Sequence, residues 1–188
     1  MASRAELGQS LGLTISHIPE GRPNRSGSPL NPRFITVHNT SNTDFGADAE
    51  AHSRLVNQTG YYEHEGKKRW VSWHYTVDDD TCIRHLPLNE IGWHAGTREG
   101  NAESIGIEIC MNKGIDQARA FDRAQRLIAC LCHDLNLEPK NAIRAHQHWS
   151  GKACPTLLLD DGELGAKWEA FVAGVESYLK AIPVVKAV

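Results

Sequence analysis

Apolar residues recur along this chain with two different spacings. The run FITVHNT, from Phe34 to Thr40, is β-branched and reads as a strand ending near His38, with Ile35 and Val37 on one face and Thr36 and His38 on the other. SIGIEIC (104–110) repeats the alternation: Ile105, Ile107 and Ile109 point one way, and Gly106, Glu108 and Cys110 the other. Shorter strands are predicted in VSWHYTVDDD, which ends in a turn, and in CIRHLPL. A spacing of 3–4 residues takes over at 116–136, where Ala120, Ala124, Leu127, Ile128, Leu131 and Leu135 form one apolar stripe. Trp168, Phe171, Val172, Val175 and Leu179 make a second stripe, expected to be a C-terminal helix docked on the core. ADAEAHSRLVNQ (47–58) also predicts a helix, whereas YYEHEGKKRW (61–70) is polar and reads as a surface excursion.

Strands mixed with helices predict an α/β fold, a single domain with one central β-sheet flanked by helices. Residues 1–32, rich in Pro, Gly, Asn and Ser from 19 onward, are expected to form an N-terminal arm, 33–182 the domain with its docking helix, and 183–188 a tail. The 188 residues are 40% hydrophobic and 23% charged, an ordinary soluble composition. A net charge of −3 offers no basic footprint for nucleic acid. No apolar run reaches membrane-spanning length, so no membrane anchor is expected. The opening MASRAELGQSLGLTISH lacks the apolar centre of a secretory signal, which predicts synthesis in the cytoplasm without a signal peptide. The 5 cysteines are odd in number and irregular in spacing, unlike a disulfide framework; Cys130 and Cys132, on different faces of a predicted helix, read as packing.

Candidate chemistry gathers in RAHQHWSGKACP (144–155), which puts two histidines, a lysine and a cysteine on one predicted irregular loop, with Ser150-Gly151 allowing a turn. A catalytic zinc takes three protein ligands and keeps one position open. His146 and Cys154 could supply two, and His38 at a strand end a third. The same residues also read as an ordinary polar histidine and a small buried cysteine, and no HExxH or paired CxxC motif decides between the two. Glu108 sits in the middle of an apolar strand, where a carboxylate is costly unless it is used or paired, a buried arginine being the plain partner. Lys152 could stabilise an oxyanion or be an ordinary surface lysine. His17, His52, His64, His85 and His133 read as surface or packing residues.

In chain order, VHNT, SWHYTVDDD, GWHAG, GNAESIGIEIC and RAHQHWSGKACP resemble the zinc-dependent N-acetylmuramoyl-L-alanine amidases, whose type-2 amidase (peptidoglycan recognition protein-like) fold is shared by phage endolysins and bacterial wall amidases. The resemblance covers roughly residues 33–160 and implies a mixed central β-sheet flanked by helices. It implies one zinc per chain held by His38, His146 and Cys154, with His146 chosen over His148 by its spacing of eight from the cysteine. It implies Glu108 as the catalytic carboxylate and Lys152 beside the metal, with Trp93, His94, Asn101 and Trp73 near the substrate groove. Trp73 stands where some relatives carry a tyrosine, which removes a hydroxyl from that position. The implied reaction is hydrolysis of the amide between N-acetylmuramic acid and L-alanine of the stem peptide, by a monomer acting on peptidoglycan in the wall and reaching it through a holin-type pore. A muropeptide-recycling amidase and a non-catalytic recognition module are the competing readings; retention of Cys154 favours an enzyme.

Overall fold

The structure is a computed structural model and describes residues 3–183, so all of the expected tail but Pro183 lies outside the described residues. In chain order the first half holds α1 (Arg4–Gln9), β1 (Leu13–Ile15), β2 (Phe34–Asn39), α2 (Ala49–Arg54), β3 (Tyr61–His64), β4 (Lys67–Trp70), β5 (Tyr75–Val77) and β6 (Cys82–Arg84). There follow α3 (Arg98–Glu103), β7 (Ser104–Ile109), α4 (Gln117–Leu135), α5 (Pro139–Ala142), β8 (Ile143–Ala145), α6 (His146–Ser150), β9 (Leu159–Asp160), β10 (Glu163–Leu164) and α7 (Ala166–Ala181). Among the described residues the main sheet runs β1-β6-β5-β7-β2-β8. Its pairs are parallel except β5 with β6, which makes it the mixed sheet that the family resemblance implies.

Alternation in the two long strands decides what each face of the sheet does. Ile35, Val37, Ile105, Ile107 and Ile109 are fully buried and pack with Ala120, Ala124, Leu127 and Ile128 of α4, over which Phe171 and Val175 of α7 close. Asp116 caps α4 by accepting from the Arg119 amide, and Asn136, left-handed at φ 54°, ends it. The stripes expected at 116–136 and 168–179 are therefore the apolar layer of the fold, and the opposite sheet face is free to carry polar groups.

Three segments differ from their expected form. The sheet begins before Phe34, because β1 adds a parallel edge strand to β6 and the Arg4 guanidinium of α1 pairs with Asp134 of α4; a three-residue strand with a Gly on its N-terminal side carries too little periodicity to be seen in sequence. The exposed stretch 61–70 is an ordered hairpin, β3 against β4, turning at Glu65-Gly66 with both residues at positive φ (52° and 70°) as a tight two-residue turn requires. The expected irregular loop at 144–155 instead places Arg144 in β8 and His146 at the first position of the one-turn helix α6, which Gly151 ends at φ 73°. Among the described residues, no helix is long and apolar enough to cross a membrane.

The packing predicts that Ile107→Ala, which empties a fully buried site between sheet and α4, lowers stability by about 2–5 kcal/mol, read as a lower midpoint in denaturant unfolding. A loss under about 1 kcal/mol would mean that this face is not the core.

Candidate metal centre

Three adjacent parallel strands, β7, β2 and β8, end side by side, and the chemistry-bearing residues sit at those carboxyl ends. His38 is the fifth residue of β2 and lies directly opposite Glu108, the fifth of β7; His146 follows the last residue of β8. Open sheets with parallel strands bind ligands at this edge, because the strand ends leave a crevice that side chains can line. Cys154 is brought in by the turn after α6: the Gln147 amide donates to the Cys154 carbonyl at 2.9 Å, and the Leu157 amide donates to Asn39 Oδ1 at 2.9 Å.

His38, His146 and Cys154 are all buried, and their donor atoms lie within 4.8 Å of one another. His38 Nδ1 is 3.0 Å from His146 Nδ1 and 3.9 Å from Cys154 Sγ. Tetrahedral zinc, with bonds of about 2.0–2.3 Å, spaces its nitrogen and sulfur donors about 3.3–3.6 Å apart. The surrounding hydrogen bonds also fix which nitrogens carry protons. His94 Nε2 donates to the Ser104 carbonyl at 3.3 Å, so His94 Nδ1 is an acceptor and receives the proton of His38 Nε2 at 3.1 Å. His146 is tied by a hydrogen bond to the Ala95 backbone, with its Nε2 beside Gly96. His38 Nδ1 is then left as a lone pair facing His146 Nδ1 and the Cys154 sulfur, a set of donors that suits a cation. The residues present fit a single thiophilic metal ion.

Electrostatics agree with that donor set. Burial, with His94, His146 and Lys152 adding to it, holds His38 neutral, far below the usual imidazole range. Burial and then Lys152 push His146 down to about 4. Burial, reinforced by Glu108, pushes the Cys154 thiol up to about 12, so without a cation it keeps its proton. Burial also raises the Glu108 carboxyl to about 8, against the opposing pull of Lys152. Among the described residues Glu108 has no arginine partner; His38 Nδ1, held neutral, lies 3.9 Å from it, and its Oε2 is buried without a hydrogen bond. The plain alternative, a structural ion pair, is not what surrounds it.

The expected groove residues separate into two sets. Glu108, Lys152 and Trp93 line one cavity of about 1040 Å³ together with the three metal-type donors. Trp73, His94 and Asn101 also border it, but each has a supporting contact of its own. Trp73 is buried and donates to Thr76 Oγ1 at 2.7 Å. His94 is buried behind His38, and Asn101 Oδ1 accepts from the His94 and Ala95 amides. His148 is exposed, stacks edge-on against Trp149 at 4.8 Å and stays out of the cluster. The far wall of the cavity is formed by Tyr61, Tyr62, Lys68, Arg69 and Trp70 of the hairpin, expected only as a surface excursion, and His52 and His64, expected as surface or packing residues, also border it. The Glu-Gly turn between two polar-aromatic runs was the available signal.

Fold and site together define a mixed-sheet protein with a buried His/His/Cys cluster that could hold one metal ion. The chain belongs to the N-acetylmuramoyl-L-alanine amidase family, whose sequence profile matches residues 28–157. It is 46% identical over 160 residues to the N-acetylmuramoyl-L-alanine amidase XlyA of Bacillus subtilis, covering 84% of this chain and 49% of that one. It is 44% identical to CwlH of the same organism, covering 85% and 59%. This chain thus spans about half the length of these relatives. Among solved structures it resembles the catalytic domain of XlyA (TM-score 0.76, 44% identity, 88% of this chain and 99% of that one) and PlyL (TM-score 0.72, 31% identity, 89% and 98%).

Gly106 is the slot that holds this arrangement: a Cβ there would lie 2.5 Å from His94 Cγ. Gly106→Ala is expected to cost on the order of 1–3 kcal/mol in denaturant unfolding. It should also shift the ring resonances of His94 and His38 while leaving exposed His133 unmoved. Unchanged stability with unmoved His38 signals would show that His94 is not wedged against this glycine.

Proposed function

We propose that this chain is a zinc-dependent peptidoglycan hydrolase of endolysin type, cutting the amide between N-acetylmuramic acid and the L-alanine of the stem peptide. The observation that carries it is the meeting of His38, His146 and Cys154 beside Glu108 at the ends of three parallel strands, in a chain belonging to this amidase family. When bound, zinc supplies a Lewis acid for the carbonyl and lowers the pKa of a water. Glu108 takes the proton of the attacking water and returns it to the departing amine, base first and acid afterwards. Its raised affinity for protons suits the second half of that task, and a nearby cation would favour the carboxylate form needed for the first. Lys152, on the same cavity, stabilises the oxyanion that forms at the carbonyl. Trp93 offers an aromatic surface beside the scissile bond. The substrate is wall peptidoglycan, and the site of action is the wall.

Purified protein is expected to hold about one zinc, and Cys154→Ala to lose most of it. Because the thiol keeps its proton near neutrality, zinc must displace it, so apparent affinity should tighten about tenfold per pH unit between pH 6 and 8 in chelator competition. Zinc binding by Cys154→Ala as tight as wild type would remove the cysteine from the ligand set.

Digestion of sacculi should release new L-alanine amino termini without a rise in reducing sugar. Glu108→Gln preserves size but cannot accept a proton; turnover should fall by a factor on the order of 10² to 10⁴ while zinc content and melting temperature hold. A stable, zinc-loaded variant that lyses sacculi at the wild-type rate would exclude Glu108 from the chemistry. A destabilised variant with intact turnover would make the residue structural.

A further inference from the structure

The hairpin β3–β4 has no role in the core. All of its residues are exposed or half-buried, and its two ends are already joined at the base, where the Val71 amide donates to the Gly60 carbonyl at 2.9 Å. Hairpins this short are marginal in water on their own. This one is held by Tyr61 packing edge-on against its cross-strand partner Trp70, ring centroids 5.1 Å apart.

Its acids stay off the cavity while two of its cations reach it. Lys68 and Arg69 line it, whereas Lys67, Glu63 and Glu65 of the same hairpin do not. Lys68 stands directly across the ladder from Glu63, yet its Nζ lies 4.2 Å over the Tyr61 ring, and no salt bridge joins the two. Among the described residues neither Lys68 nor Arg69 has a carboxylate within 4.0 Å. Around the whole cavity the lining cations are Lys68, Arg69 and Lys152, and the one lining acid among the described residues is Glu108. The chain as a whole has the opposite balance, 23 Asp and Glu against 20 Lys and Arg. A cleft of one sign in a protein of the other concentrates ligands of complementary charge.

The cavity, at about 1040 Å³, is at the upper end of what a single small ligand fills, so it takes a segment of polymer extending beyond the scissile amide. We infer that the hairpin is a carboxylate-reading subsite: Lys68 and Arg69 pair with free carboxylates of the stem peptide, while Tyr61 and Trp70 support its aliphatic stems. The inference rests on the amidase reading and adds a direction to it, with the acidic peptide running over the hairpin and the neutral sugar strand leaving on the other side of the metal centre. An Arg fork and an ammonium held over an aromatic ring suit carboxylates rather than hydroxyls.

The test compares one soluble muropeptide in two forms, carboxylates free and carboxylates converted to carboxamides. Wild-type protein should favour the acid form in kcat/KM by about 3- to 10-fold at low ionic strength, since exposed charge pairs each contribute modestly. That preference should shrink in 0.5 M salt, where the screening length falls to about 4 Å. Lys68→Gln/Arg69→Gln should abolish the preference and Lys68→Glu/Arg69→Glu should invert it, while Arg119→Glu, an exposed charge change on α4, should leave it intact. Unfolding midpoints identify any variant that misfolds, and the neutral pair covers failure of the reversed one. Titration calorimetry of both muropeptides reads the same ratio independently of cleavage. A hairpin-dependent preference in binding with neither form cleaved would sustain this subsite and sink the amidase reading. Cleavage of both forms at equal kcat/KM by wild type, or a preference that survives both double variants, would overturn the subsite and leave the amidase reading standing.

Discussion

Register between β2 and β7 is the constraint on which the rest of this molecule depends. With His38 opposite Glu108, Val37 opposite Ile107 and Thr36 opposite Gly106, one face of the pair carries its isoleucines and valine and the other carries His38 and Glu108. The side-chain period in a strand is two, so a slip of one residue in either strand would turn its isoleucines or valine to the cleft and its polar groups to the core. Burial of that apolar face under α4 and α7 therefore fixes where the candidate chemistry sits. The energy that folds the protein and the geometry of its site come from the same alternation.

Dryness does the next part of the work. Water removed from around His38, His146 and Cys154 disfavours their charged forms, leaving two neutral imidazoles and a thiol. The same burial raises Glu108 into a range where gaining and losing a proton are both accessible near neutrality. A supporting chain behind the donors, Ser104 carbonyl to His94 to His38, orients one ring, and the Thr36 hydroxyl beneath it donates to Ser104 Oγ while accepting from Trp149 Nε1. Removing the His94 ring would free His38 to rotate, the way outer contacts tune a metal site.

Two kinds of wall close the cleft. The sheet edge and α6 are rigid, backed by the core. The hairpin stands clear of the core, with all of its residues exposed or half-buried, so little of its composition is set by packing. A freestanding element can exchange side chains at little cost to the fold, which makes it a natural place for substrate preference to be set.

The alternating and helical periods in the sequence were sufficient for the central sheet, the α4 and α7 layer and the facing of His38 and Glu108, because periodicity is a local record of which side is buried; that the sheet is mixed came only with the family resemblance. The cluster His38, His146 and Cys154 was legible as an ordered set of motifs, though 108 residues separate its two histidines. Only the folded chain decided the rest. His94 and Asn101 border the cavity as GWHAG and GNAE suggest, and folding also sets His94 behind the His38 ring and ties Asn101 to two backbone amides. β1 joins the sheet, and the polar run at 61–70 becomes a wall of the cleft, through contacts with residues distant in sequence. A sequence records each residue's preference for water or for burial; which partner meets it there is settled by pairing and packing between segments that no local pattern connects.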